Sequence, residues 1–183
     1  MKTILLILLP ALLLGGCSTT KPTTIPSYLT AGREIRGVIL SPQDSKTAIG
    51  RFEDYFSDIT EKSVLEKTKN TYAPAAFFND TLKTIRGSRE IEKYFLRLAA
   101  NTDFTRVRLK DVARSGASYY VRWEMDFQIK GSTKTITTIG MSELRFDSGG
   151  LIVLHQDFWD STAGIFEHLP VLGTAILWIK KQL

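Results

Sequence analysis

The residues best suited to chemistry lie near the end of the chain. His155, Asp157 and Trp159 are each separated by one residue in a stretch rich in aromatic and β-branched side chains. Side chains two positions apart in a β-strand point to the same face, so we predict that these three share one side of a sheet. Apolar surroundings raise the pKa of a carboxyl group, and a nearby histidine can orient or relay a proton. The spacing therefore predicts a cavity in which a carboxylate and an imidazole handle a proton or hold a ligand.

Simpler roles are open to the same residues. A single histidine on a strand more often completes a hydrogen-bond network in the core, and either Asp157 or Asp160 can cap the helix predicted from Ser161. The only other histidine, His168, precedes a proline and is expected at the surface. There is no His-x-x-x-His pair, no second cysteine, no phosphate-binding glycine loop and no Gly-x-Ser-x-Gly motif. We therefore expect neither a metal nor another cofactor.

The N-terminus carries a different signal. Lys2 precedes eleven residues, 4–14, that are apolar apart from a proline, and these are too few to span a bilayer as a helix. They end in Leu14-Gly15-Gly16-Cys17, which resembles the lipobox of bacterial lipoproteins. The resemblance implies a signal peptide over residues 1–16 and acylation of Cys17, for example with palmitate, which would anchor the chain in the cell envelope. The alternative is an ordinary secretory signal with an incidental cysteine.

Composition narrows the class of protein. Cys17 is the sole cysteine, so no disulfide forms within the chain, and the residues after it must fold around a packed core. The net charge is +5, but the 24 basic residues are scattered along the chain. Nucleic-acid binding requires a concentrated basic stripe, so we do not expect it. Ser18, rather than an aspartate, follows the cysteine, which in a Gram-negative cell would imply the periplasmic side of the outer membrane.

The predicted elements place helices first and strands later, which is an α+β pattern. Residues 17–42 are predicted to be a flexible tether because they contain prolines and lack periodicity, although 28–42 could also form a short strand or an arm laid on the domain. Strict alternation of apolar and polar residues makes 118–130 the clearest strand. Helices are predicted over 41–58, 62–70, 88–100 and 169–183, and strands over 75–78, 118–130, 133–146 and 151–160.

Three stretches, at 72–80, 144–147 and 155–160, are similar in content, order and spacing to the nuclear-transport-factor-2-like (NTF2-like) superfamily, in its SnoaL-like and ketosteroid-isomerase-like branch. The resemblance implies a domain over 43–168 in which a strongly bent antiparallel sheet wraps around N-terminal helices and encloses a conical pocket. The expected pocket wall consists of Phe77, Trp123, Phe127 and Trp159.

The resemblance also implies roles for single residues. Asp80 falls at the position of the general base in ketosteroid isomerase, and Tyr55 is the nearest match to its tyrosine hydrogen-bond donor. Ser142 stands where the isomerase has a protonated carboxylic acid, so the paired donors of that enzyme are not reproduced. Asp80 also follows an asparagine, and such pairs commonly form turns.

Two functions are compatible with these residues. The first is an envelope lipoprotein whose pocket binds a small apolar molecule or whose surface docks a protein partner. The second is an acid–base enzyme acting on a carbonyl or lipid-like substrate, with Asp80 as the base, Tyr55 or Ser142 as the donor and His155 assisting. A homodimer is compatible with both. The apolar C-terminal helix is expected to pack on the cone or a partner subunit in preference to lying in the lipid interface.

We predict that Cys17→Ala abolishes lipidation, because no other thiol is available to the acylating enzyme. Mass spectrometry of the mature protein should find the acylated N-terminus at residue 17 in the wild type and no acyl mass in the variant. Ser18→Ala is the matched control and should remain lipidated. A mature N-terminus at any other residue would contradict the prediction.

Overall fold

The computed structural model describes residues 24–168 and 171–182. The predicted signal peptide and Cys17 lie outside these residues. The helices are α1 (Thr24–Glu34), α2 (Pro42–Ser57), α3 (Glu61–Thr71), α4 (Ser88–Asn101), α5 (Ser161–Gly164) and α6 (Leu172–Lys180), with a short 3-10 helix at Phe166–His168. The strands are β1 (Tyr72–Asn79), β2 (Thr84–Arg86), β3 (Thr102–Ser115), β4 (Ser118–Ile129), β5 (Thr135–Phe146) and β6 (Ile152–Trp159).

One six-stranded sheet organises the described residues, in the order β2-β1-β6-β5-β4-β3. All neighbouring strands are antiparallel except β1 and β6, which are parallel. Helices α2 and α4 contact the inner face of the bent sheet and bury an aromatic core against it. The predicted α+β class is confirmed.

The first long helix begins where the sequence predicts it. The Ser41 hydroxyl accepts a hydrogen bond from the backbone N–H of Asp44, and Pro42 occupies the first helical position, where its missing N–H has no cost. Phe52, Tyr55 and Phe56 then recur at helical spacing and are all buried. Helix α2 therefore presents an aromatic face to the sheet.

The prediction of a flexible tether is corrected in its described part. Residues 24–34 form a helix on the outer face of the sheet. Ala31 is fully buried there, and the Arg145 guanidinium donates to the carbonyl oxygens of Gly32 and Ile35, at 2.7 and 2.8 Å. The Tyr28 hydroxyl donates to Glu143, at 2.6 Å. Composition alone does not favour this helix. The sheet stabilises it because Arg145 donates hydrogen bonds to carbonyl oxygens at the C-terminal end of the helix. Beyond it the chain continues as an arm on the domain.

The inner face of the sheet has one position without a side chain. Gly140 in β5 lies between Trp123 of β4 and Trp159 of β6 in the strand register. A Cβ atom there would lie 2.4 Å from Cη2 of Trp123 and 2.7 Å from Cβ of Trp159. The indole of Trp123 and the Cβ atom of Trp159 share the space that this glycine leaves. The predicted register of β4 is confirmed, since Trp123 is buried and Arg122 is exposed.

The C-terminal helix differs from the expectation that it packs on the cone. Helix α6 folds back on the 3-10 helix, where Gly173 lies against the backbone of Glu167 and Lys180 forms an ion pair with the Glu167 carboxylate at 2.5 Å. Most of its apolar side chains stay exposed, Trp178 among them at 64%. Among the described residues no helix combines the length and the hydrophobicity needed to cross a bilayer.

We expect Gly140→Ala to lower the free energy of unfolding by about 1–3 kcal/mol, because the added methyl group displaces the packed Trp123 indole and the Cβ atom of Trp159. Gly50→Ala is the matched control. Gly50 lies in α2 with no heavy atom within 4 Å of the added Cβ, so alanine there should raise stability by about 0.5–1 kcal/mol. Urea denaturation of both variants measures these changes. Equal effects of the two substitutions would contradict the described packing of the indoles.

Candidate functional site

A cavity of about 110 Å³ lies between the helices and the inner face of the sheet. Its walls are mostly apolar, and their aromatic side chains include Phe52, Phe56, Phe78, Phe95, Trp123, Phe127 and Trp159. The polar residues that line it are Asp80, Tyr94, Thr105, Ser142, His155 and Asp157. The structure thus brings together four of the five predicted catalytic residues and three of the four predicted wall residues.

His155 is almost completely buried, with 1% of its surface exposed. Its ring makes edge contacts with Phe52, Phe56 and Phe78, whose centroids lie 5.4, 5.7 and 5.0 Å from its own. Nδ1 lies 2.8 Å from the hydroxyl of Tyr72, and Nε2 lies 2.8 Å from Oδ1 of Asp157. Both ring nitrogens therefore have partners within an apolar environment, as buried polar groups require.

The hydrogen-bond network assigns the tautomer of His155. Tyr72 is completely buried and burial raises the pKa of its hydroxyl, which therefore stays protonated. Its proton requires an acceptor, and Nδ1 of His155 is the partner within reach. Nε2 then carries the ring proton and donates it to Asp157.

Asp157 occupies the end of this network. Its Oδ1 accepts from the Ser142 hydroxyl at 2.5 Å as well as from His155, and Ser142 in turn accepts from Nε1 of Trp123 at 2.9 Å. Ser142 and Asp157 are direct partners in the β5–β6 register, which places the two side chains together. Within the described residues no hydrogen bond reaches Oδ2, and the side chain keeps 14% of its surface exposed in the cavity. Asp157 therefore offers one free carboxylate oxygen to a ligand.

Asp80 is also buried, but both of its oxygens are occupied. Oδ1 accepts from the backbone N–H groups of Leu82 and Lys83, at 3.0 and 2.8 Å, and Oδ2 accepts from the hydroxyl of Tyr94. Burial raises the pKa of Asp80, and the charge of Asp157 adds to the rise, although these hydrogen bonds act in the opposite direction. Asp80 therefore closes the turn, which is one of its two predicted roles, and its carboxyl group also lines the cavity.

Two tyrosines in the network were not among the predicted site residues. Tyr94 lies on the inner face of α4, and burial together with the adjacent Asp80 carboxylate raises the pKa of its hydroxyl. Tyr72 opens β1, which pairs in parallel with β6 and so reaches His155 from a distant part of the chain. The helical spacing of Tyr94 with Ile91 and Leu98 indicates a core position, but no local pattern points to Tyr72.

Two predicted site residues lie elsewhere. The Tyr55 hydroxyl is within 3.0 Å of the Thr68 hydroxyl in the core between α2 and α3, and Tyr55 does not line the cavity. Phe77 faces the outer side of the sheet, where it packs with Ala31 and Leu154. The neighbouring Phe78 takes its place in the wall, because adjacent residues of a strand point to opposite faces.

No group of histidine, cysteine, aspartate and glutamate residues in the described ranges has the arrangement of a metal site. Arg, Lys and the remaining acidic residues stay outside the cavity lining. The cavity can therefore exclude water from a small apolar molecule, and the Asp157 carboxylate can accept a hydrogen bond from it.

Comparison with known proteins gives one family. The sequence profile of the SnoaL-like domain matches residues 52–155, which is more than half of the 183-residue chain. No curated protein matches the chain significantly.

Solved structures resemble this fold at low sequence identity. An LEH-like epoxide hydrolase from M. tuberculosis has a TM-score of 0.57 and 14% identity, and the match covers 75% of this chain and 97% of that chain. TsrD from Streptomyces laurentii has a TM-score of 0.59 and 15% identity, covering 73% and 100%. A ketosteroid isomerase-like fold from Catenulispora acidiphila, in complex with trimethylamine, has a TM-score of 0.57 and 16% identity, covering 69% and 92%. These similarities confirm the predicted NTF2-like cone.

The raised pKa of Asp80 predicts a pH dependence of stability. The folded state holds the proton more tightly than the unfolded state, so this group lowers the free energy of unfolding as the pH rises above about 4 and through the folded pKa. Asp80→Asn keeps an oxygen for the turn and removes the ionisation. Its free energy of unfolding relative to wild type should therefore increase between about pH 4 and pH 7 in urea denaturation.

Asp103→Asn, at an exposed position in β3, controls for the general loss of one negative charge. As the pH rises, the free energy of unfolding relative to wild type should increase more for Asp80→Asn than for Asp103→Asn. A relative stability of Asp80→Asn that falls with rising pH would show that the hydrogen bonds to this carboxylate outweigh its burial.

Proposed function

The chain belongs to the family of SnoaL-like domains, and we propose on that premise that it binds a small, mostly apolar molecule whose hydrogen-bond donor meets Asp157. The observation that carries the proposal is the free oxygen of Asp157 inside an aromatic cavity. The other oxygen of the same carboxylate is held by Ser142 and His155, at 2.5 and 2.8 Å.

The cavity favours a ligand about the size of one ring. Its volume of about 110 Å³ is on the order of the engineered cavities that accept benzene. Apolar side chains, many of them aromatic, form most of the wall, so the transfer of an apolar ring from water is favourable. A long or highly charged molecule would have to displace the packed indoles of Trp123 and Trp159.

The free carboxylate oxygen favours a donor on that ligand. A buried carboxylate loses hydration, which is costly unless its oxygens accept hydrogen bonds. A ligand hydroxyl or amine would supply the missing bond at Oδ2, and charge-assisted bonds of this kind are among the stronger ones. The similar fold that is solved in complex with trimethylamine supports a pocket that takes a small amine or a ligand of comparable size.

Acid–base catalysis is the second candidate function, and the rigid positioning of Asp157 favours it. His155 and Ser142 orient the carboxylate, and its free oxygen can accept a proton from a substrate in the cavity. Asp157 suits the role of base better than Asp80, whose oxygens are already occupied. The Tyr94 hydroxyl, which here donates to Asp80, would turn from that carboxylate to donate to a developing oxyanion.

We further propose that the domain works in the cell envelope, held to the membrane by a lipid on Cys17. The support is the four-residue lipobox and the short apolar run before it. No membrane-spanning helix is required for this form of attachment.

We expect the full chain with Trp178→Phe to bind 4-bromophenol about tenfold more tightly than bromobenzene, because only the phenol donates to Asp157. Removal of Trp178 leaves the two cavity tryptophans as reporters, and bromine in the cavity should quench their fluorescence in a saturable manner. Asp157→Asn in this background should lose the preference and still bind bromobenzene. Asp103→Asn, at an exposed position, should keep the preference.

The outcomes separate the candidates. Absence of saturable quenching by either compound would contradict a small-molecule site, and equal preference in wild type and Asp157→Asn would exclude Asp157 from binding. Cyclohexanone in D2O, followed by NMR, distinguishes the enzyme: exchange of its α-protons that is lost in Asp157→Asn would favour catalysis over binding alone.

A further inference from the structure

The direction of α1 shows which end of the molecule faces the predicted lipid anchor. The Tyr28 ring packs against Phe158, near the end of β6, with centroids 5.5 Å apart. The last turn of α1 instead binds Arg145, which pairs with Leu154 near the start of β6. Helix α1 is therefore antiparallel to β6, and its first residue, Thr24, points toward the end at which β6 finishes.

The cavity opens at this same end. Its deep part surrounds His155, which is buried, whereas Leu82 is 40% exposed and Ile165, Met125 and Trp159 are partly exposed. Trp159 is the last residue of β6, and Ile165 follows directly after α5. We use the term mouth end for the surface formed by Leu82, Ile165 and helix α6.

Helix α6 makes the mouth end strongly apolar. It follows the 3-10 helix that succeeds α5, and it is held there by the ion pair between Lys180 and Glu167. Its outward side chains include Leu177, Trp178 and Ile179, which are 45, 64 and 52% exposed. An exposed apolar helix of this kind is unfavourable in water, which indicates that another apolar phase covers it.

The charge around the mouth end is basic. Lys83, Lys134 and Lys181 are exposed there, in the turn before β2, before β5 and after α6. The nearby Glu167 is paired with Lys180, and Asp160 caps α5. Basic side chains beside an apolar helix with a tryptophan are complementary to anionic lipid headgroups and to the interface beneath them.

We propose that the mouth end rests on an anionic bilayer, with α6 in the interface, so that the cavity opens onto the lipid and draws its ligand from the membrane. This inference rests on the proposed function of the cavity and names the source of its ligand. Six residues separate Cys17 from Thr24, and seven extended steps span at most about 25 Å. An acylated Cys17 would therefore hold the end of the molecule that already carries α6 close to the bilayer.

The orientation is tested with the lipidated full chain in vesicles of phosphatidylethanolamine and phosphatidylglycerol that contain an acyl-brominated phospholipid. Trp178 in the interface should be quenched, so Trp178→Phe should lose most of the bromine quenching. The matched control is Trp123→Phe, because Trp123 is buried in the domain and should contribute little. Equal quenching in Trp178→Phe and wild type would overturn the proposal.

A second copy of the chain is the competing occupant of α6. Ala175→Cys places a thiol on the exposed surface of α6, and Cys17 is occupied by its acyl group in the lipidated protein. Efficient disulfide cross-linking between two copies in the same vesicles would assign α6 to a dimer interface and overturn the proposal. We expect cross-linking of Ala175→Cys to be no more efficient than that of the control variant Gly50→Cys, whose position is also exposed.

Ligand transfer separates this inference from the proposed function. Leu177→Glu should lift α6 from the bilayer and slow the transfer of bromobenzene from vesicles to the cavity several-fold, with its affinity in detergent unchanged. An unchanged transfer rate would overturn entry from the membrane. If the wild-type chain does not bind bromobenzene in detergent, that result would instead contradict the proposed binding function.

Discussion

The hydrogen-bond requirement of one buried imidazole organises the centre of this domain. His155 is surrounded by aromatic rings, and neither of its nitrogens can reach bulk water. An unpaired polar atom in such a place costs roughly 1–3 kcal/mol, so both nitrogens need protein partners. Tyr72 satisfies one and Asp157 the other. These bonds favour the parallel pairing of β1 with β6 and, together with Ser142, the register of β6 with β5.

The two carboxylates of the cavity, Asp157 and Asp80, differ in how their hydrogen-bond requirements are met. Asp157 is oriented by groups that bind only one of its oxygens, so the other stays available to the cavity. Asp80 uses both oxygens to close its turn and to bind Tyr94. The turn that Asp80 closes positions Leu82 at the mouth of the cavity. Asp157 lies deeper in the cavity, oriented by Ser142 and His155. The two acids thus differ in how many of their oxygens the protein itself occupies, although both line the same apolar cavity.

On the outer face of the sheet, another buried carboxylate depends on its partners, in this case through the ion pair between Glu143 and Arg145. Glu143 is almost completely buried beneath α1, where burial alone would raise its pKa. Hydrogen bonds from Tyr28, Ser118 and Arg145 outweigh that effect and hold the pKa below its usual range. Arg145 also binds the last carbonyl groups of α1, where a positive charge suits the helix dipole. The segment before the domain is therefore part of the fold and has a defined direction.

Local patterns in the sequence determined the helices α2 to α4, the long strands and the inward phase of His155, Asp157 and Trp159. Periodicity predicts these features because it reports which face of an element is buried. Tertiary structure decided what periodicity does not encode. Helix α1 forms because Arg145, over a hundred residues away, completes its hydrogen bonds. Phe78 rather than Phe77 reaches the cavity because of the register of β1, and Tyr72 rather than Tyr55 meets the site because β1 lies beside β6. Contacts between distant segments set these positions, and no short stretch of sequence contains them.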